Sequence, residues 1–214
     1  MQLANDRGIF LTVVRMIMYR MLYNEYYPSL EENMSPSNIG AMRNKNIRNH
    51  LFILYGIMNS VMQGEEKCID IGIYDVEQCF DALWLEDCML DLHSATPKSQ
   101  HNDKLALIYK ANEENKVAVK TPVGLTDRVN IPTIVMQGGT FGPMQCSNSI
   151  DSIGKKCISR QEHLFTYKNL VKITPLSMVD DLLVVTPCSI ESISANVFIN
   201  MQIEMKKSKS TLQI

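Results

Sequence analysis

The 214-residue sequence, 45% hydrophobic, is long and apolar enough to bury a core of its own, which excludes a disordered tail. Its formal net charge of -2 excludes an evenly basic nucleic-acid binder, because phosphates are neutralised by Lys and Arg, so any such surface must be a local patch. Six cysteines without a CxxC pair or CxxxxH spacing argue against a zinc site and a disulfide scaffold, and are read as reduced thiols of an intracellular protein, cytoplasmic or nuclear.

Along the chain, Ile9, Val13, Met16, Ile17 and Met21 recur at helical spacing from about Gly8 to Tyr23, and the polar stretch Ser29 to Asn38, containing Pro36, reads as a loop. Asp6, Arg7, Arg15 and Arg20 interrupt this segment, which fits neither a signal peptide nor a membrane span. A second helix is predicted from Ile47 to Met62, with Leu51, Leu54, Ile57, Met58 and Val61 as its apolar face against His50 and Asn59. The run CIDIGIYD, Cys68 to Asp75, reads as a strand buried on one or both faces and ending on an acid, followed by a helix from about Asp81 to Leu92.

A helix near Asp103 to Ala111 precedes a hairpin around Gly124, built from KVAVKTPV and DRVNI. The glycine-rich MQGGTFGP leads into a helix over Phe141 to Ile158. Short strands around Tyr167 and Val171, then LSMV, a turn at Asp180 and Asp181, LLVVT, and a helix near Ile190 to Lys207 complete an α+β order. Two basic clusters stand out, Arg43, Lys45 and Arg48 in one and Lys206, Lys207 and Lys209 in the other; each suits a nucleic-acid contact or a solvated helix face.

The strongest chemical signal is MVDD, Met178 to Asp181. Adjacent carboxylates between apolar strands are costly unless they sit at a tight turn and bind a positive group, for which a divalent metal is the natural partner. Asp75 ends the earlier strand in the same manner, and adjacent strands would bring it beside Asp180. Such a set suits two Mg²⁺ ions roughly 4 Å apart in a phosphoryl or nucleotidyl transfer. Read without that partner, Asp180 and Asp181 form a turn between strands and Asp75 caps the helix that follows.

Three ordered segments carry a resemblance. YDVEQCFD at Tyr74 to Asp81 is similar to the first palm motif of reverse transcriptases, MQGGTFGPMQCS at Met136 to Ser147 to their PQGxxxSP motif, and MVDD to their YADD-type turn. NDRGIFLTVVRMIMYRML and NIGAMRNKNIRNHLF resemble the opening finger segments of non-LTR (LINE-like) retrotransposon enzymes, so the resemblance covers nearly the whole chain. It implies a polymerase palm, a small antiparallel sheet backed by helices, over residues 67–214. A mostly helical fingers region over 1–66 continues into it as one domain. Set against that family, a thumb after KKSKSTLQI and an endonuclease domain ahead of the fingers are expected to be missing from this stretch.

The resemblance further implies an RNA-directed DNA polymerase that transfers deoxynucleotides onto a primer 3′-hydroxyl, with an RNA template, a DNA primer and dNTPs as partners and no membrane. Asp75 and Asp180 would hold two Mg²⁺ ions, or Mn²⁺ in their place, helped by the Val76 carbonyl and by Asp181. Phe80 would lie under the sugar and reject a 2′-hydroxyl, Gln137 and Gly138 would floor the nucleotide site, and Arg7 would reach the triphosphate. Arg43, Lys45 and Arg48 would contact nucleic acid. Met178 stands where the family carries an aromatic, and Arg43 follows Gly40 one residue later than in the family's Gly-x-Arg. These departures motivate an alternative, a catalytically inactive truncated remnant that keeps the palm fold and binds nucleic acid weakly. A third reading, a palm-like nucleotide cyclase or metal nuclease, leaves Phe80 and Gln137-Gly138 without a role.

Overall fold

The computed structural model describes residues 13–64, 68–76, 79–98, 103–113, 116–130, 139–160, 164–188 and 190–207. Its elements are helices α1 (Val13–Asn33), α2 (Ile47–Met62), α3 (Cys79–Ala82), α4 (Leu85–Ala95), α5 (Asp103–Glu113), α6 (Gly142–Ser159) and α7 (Ile190–Lys207). The strands are β1 (Ile69–Asp75), β2 (Lys116–Val117), β3 (Lys120–Thr121), β4 (Gly124–Leu125), β5 (Val129–Asn130), β6 (Thr166–Tyr167), β7 (Val171–Lys172), β8 (Leu176–Met178) and β9 (Asp181–Pro187). Three of them form an antiparallel sheet in the order β1-β9-β8. The others make two-stranded ribbons, β2 with β5 and β3 with β4 around residue 123, and β6 with β7. The class is α+β, with small antiparallel sheets as the sequence predicts.

The two faces of the central sheet are covered by different helices, because side chains alternate along each strand. Leu182 and Val184 of β9 point into a core with Ile150, Ile153 and Cys157 of α6 and Ile199 and Ile203 of α7. Val185 points the other way, onto Ile57 of α2 and Phe165, with Ile53, Leu54, Ile69 and Leu183 beside them. A third core joins Tyr19, Leu22, Tyr26 and Leu30 of α1 to Leu92 of α4, Ile108 of α5 and Phe141.

Several local expectations are corrected. The first helix runs on through Pro28 to Asn33, across the start of the predicted loop, because Tyr26, Tyr27 and Leu30 are all buried on one side of it. That stripe, and not the Met16, Ile17 and Met21 stripe, faces the core; Met21 is 67% exposed. The helix predicted at Asp81 starts at Cys79 and breaks at residues 83–84, where the Trp84 N–H donates to the Lys206 carbonyl at 3.0 Å instead of continuing the helical ladder.

On α2 the boundaries match, with Asn46 as the N-cap accepting from the Arg48 N–H, and Ile57 and Leu54 face the core as predicted, but the rest of the face is rotated. His50 is buried, its Nε2 2.7 Å from the Ser37 carbonyl, and burial holds its pKa below the usual value. Leu51, Phe52, Tyr55, Met58 and Met62 are instead exposed, Phe52 at 81%. Cys79 and Cys146 are joined as a disulfide between α3 and α6, which corrects the reading of six free thiols. Lys206 is no solvated residue either, being buried and ion-paired with Asp91. Among the described residues no helix is long and apolar enough to cross a membrane.

Candidate active site

The pairing of β1 with β9 runs from Ile69 opposite Pro187 to Asp75 opposite Asp181. Two acids far apart in sequence are thereby made cross-strand neighbours at the mouth of the sheet. β8 joins the other edge of β9 through Met178 opposite Asp181, so Val179 and Asp180 form a two-residue hairpin turn. Asp75, Asp180 and Asp181 therefore lie at one end of the sheet, with Asp75 facing Asp181 in the register and not Asp180 as the sequence reading expects.

Like charges this close interact. Partial burial first, and then the charges of Asp180 and Asp75, hold the Asp181 carboxyl above the usual carboxylate range. The donors are hard oxygens of the kind Mg²⁺ takes. Among the described residues, however, no three acidic, histidine or cysteine side chains are gathered tightly enough to form a ready metal cage. The acids converge on one place and repel one another there.

The turn that carries Asp180 is strained. Val179 has φ +57, a left-handed backbone conformation that a β-branched side chain rarely adopts and that costs about 1–3 kcal/mol. It is held by what lies behind it. Gly40 packs so closely against the turn that a Cβ there would collide with the Val179 nitrogen and lie 2.9 Å from its Cα. Cys146, in the first turns of α6, puts its sulfur 3.9 Å from the Val179 carbonyl.

Gly40 is itself fixed by a buried polar cluster. The Asn38 side-chain oxygen accepts from the Gly40 N–H at 2.8 Å, and its amide donates to the Ser147 carbonyl at 3.1 Å. The Ser147 hydroxyl lies 2.9 Å from both the Asn38 oxygen and the Gly40 carbonyl. Asp151, almost fully buried, accepts from the Ser35 N–H at 3.2 Å and pairs with Lys155 at 2.9 Å. The Ile39 N–H donates to Ser177 at 2.9 Å, so residues 37–39 run beside β8 and brace the hairpin.

Sequence reasoning missed Asn38 and Asp151, and met Gly40 and Ser147 only inside motifs without seeing that they back the Asp180 turn. The one available signal was a row of small and polar residues, Gln145 to Ser149, in a helix that would otherwise be read as exposed; all are buried.

Of the remaining predicted residues, Val76 is buried directly behind Asp75, and Phe80 on α3 packs half-buried against the same core as Val179. The members of the basic cluster make separate contacts within the chain. The Arg43 guanidinium lies 4.3 Å over the Tyr27 ring and 5.8 Å from that of Tyr23, and Lys45 donates to the Pro36 and Asn38 carbonyls at 3.2 and 3.0 Å. Arg48 is exposed on the first turn of α2. Arg7, Gln137, Gly138 and Lys209 lie outside the described residues.

No protein-family model matches the chain, and no curated protein matches it in sequence. Solved structures do match in fold. Telomerase from Candida albicans in complex with the TWJ fragment of telomeric RNA superposes with a TM-score of 0.53 at 14% identity, over 89% of this chain and 31% of that one. Apo telomerase from Candida tropicalis, truncated from its C-terminal domain, gives 0.55 at 15% identity, over 94% of this chain and 41% of that one. This chain thus spans well under half of the telomerase chains it matches, and what it shares with that reverse-transcriptase-related polymerase is the fold.

Proposed function

We propose that the chain is the fingers and palm of an RNA-directed DNA polymerase of a non-LTR retroelement, which adds dNTPs to a primer 3′-hydroxyl on an RNA template. The observation that carries this reading is the in-register meeting of Asp75 and Asp181 beside the strained turn of Asp180, in a fold shared with telomerase. In this reading Asp75 and Asp180, with Asp181 and the Val76 carbonyl, hold two Mg²⁺ ions, Mn²⁺ substituting. Bound there, the ions would supply charge neutralisation at the transferring phosphoryl group and at its attacking and leaving oxygens. The chain's own part is positional: the ladder fixes Asp75 against Asp181, and the close approach of Gly40 holds the turn that presents Asp180.

Phe80 is assigned the sugar gate, Gln137 and Gly138 the floor of the nucleotide site, Arg7 the triphosphate, and Arg43, Lys45 and Arg48 the template flank. The Phe80→Val variant is expected to lower discrimination against ribonucleotides by about tenfold or more, since the smaller side chain removes a clash worth about 1–3 kcal/mol. Paired dNTP and rNTP incorporation rates check it. Unchanged discrimination in an active variant reassigns Phe80 to the core.

The test of the function is primer extension on an RNA template with Mg²⁺ or Mn²⁺ and dNTPs. Extension by the wild-type chain supports the polymerase reading. Its absence favours the second reading, an inactive remnant.

A further inference from the structure

The end of the β1-β9 ladder opposite the carboxylates carries two cysteines. Ile69 faces Pro187 in the register, so the next facing pair is Cys68 and Cys188, and the Cys188 N–H donates to the Cys68 carbonyl at 3.3 Å. Facing residues of a hydrogen-bonded antiparallel pair have Cα atoms about 5.5 Å apart. Disulfides span Cα separations of about 4.4–6.8 Å, so the Cα spacing is within reach of a bond, which a local twist at this end of the ladder closes by bringing the Cβ atoms together.

The surroundings set these cysteines apart from the others. Cys88 and Cys157 are buried, which seals them from reagents. Cys68 and Cys188 are exposed. The Cys188 thiol donates to an Asp70 carboxylate oxygen at 3.6 Å. The neighbouring Cys68 side chain, and after it the Asp70 charge, pushes the Cys188 thiol up to about 11, which disfavours its thiolate as the first attacking group.

We propose that Cys68 and Cys188 are a redox modification site, a cross-strand dithiol that a low-molecular-weight disulfide such as oxidised glutathione converts reversibly into an intrachain disulfide. One cysteine, as its thiolate, attacks the reagent's S–S bond, forming a mixed disulfide and expelling one glutathione thiolate. The other then attacks the protein sulfur of that mixed disulfide, forming the Cys68–Cys188 bond and expelling the second thiolate. Two electrons pass from the protein to the reagent, and the two cysteine protons end on the two released glutathiones. The product staples β1 to β9, the strands whose far ends carry Asp75 and Asp181, and an exposed disulfide of this kind remains open to reduction. The inference is independent of the proposed polymerase activity.

The experiment equilibrates the full chain in glutathione buffers of rising oxidised-to-reduced ratio, quenches by acid and alkylation, and maps disulfide-linked peptides by mass spectrometry. The expected result is a Cys68–Cys188 peptide that grows with the ratio and disappears with dithiothreitol. With it, the thermal midpoint should rise by roughly 5–10 °C. Cys68→Ser and Cys188→Ser, both exposed substitutions, should each abolish the peptide and the rise. Glutathione left singly on either cysteine, a disulfide from either to another cysteine or another chain, or a rise that persists in both Ser variants would overturn the proposal.

Discussion

Replacing Asp180 and Asp181 together by Asn is expected to reduce primer extension about a thousandfold or more, since removing charge stabilisation worth several kcal/mol costs a factor of ten for each 1.36 kcal/mol. The same variant should be at least as stable as the wild type. Burial and the neighbouring charges hold the Asp181 carboxyl above the ordinary range, so its charged form is disfavoured in the folded chain. Stability contributed at this group accordingly rises as pH falls through the raised pKa, and neutral Asn removes the repulsion at every pH. Parallel extension assays and thermal melts at pH 7 check both halves. Loss of activity together with a lower melting point would make the pair a structural turn, and undiminished extension would remove these residues from the chemistry.

The second large effect is expected at Gly40. In Gly40→Ala the added Cβ meets the Val179 backbone, which cannot swing aside as a side chain could, and the turn must shift. Overpacking of this kind typically costs about 1–3 kcal/mol. Because the displaced atoms belong to the Asp180 turn, extension should fall by more than tenfold even where the protein remains folded. Urea midpoints and extension rates on the same preparation separate the two effects. An Ala variant with normal stability and activity would show that the turn tolerates displacement.

Much of the fold was legible because local chemistry and tertiary structure agree. Asn46 caps α2, and Ile47 to Met62 and Ile190 to Lys207 are helices over the predicted spans. The carboxylates were legible for a related reason: acids ending apolar strands need a purpose, and the register supplies a meeting point. What escaped was decided by partners distant in sequence. Nothing near Gly40 reveals that Val179 presses on it, and nothing near His50 reveals that the Ser37 carbonyl draws it inward and turns Leu51 and Met58 outward. The break at residues 83–84 answers to a carbonyl at Lys206, at the end of the last described helix.

The ladder that unites Asp75 with Asp181 also sets the order in which the molecule can assemble. Its strands lie about half the chain apart, so the pairing closes a long loop and is made late, after the helices between them have local contacts to stabilise them. During synthesis β1 emerges long before β9. Until β9 arrives, IDIGIYD is an isoleucine-rich strand without its sequence-distant neighbour, open to pairing with any other exposed edge. The acids that converge in the folded chain are thus among the last residues to meet, and slow release of β9 from the ribosome would favour aggregation through β1 over an incomplete site.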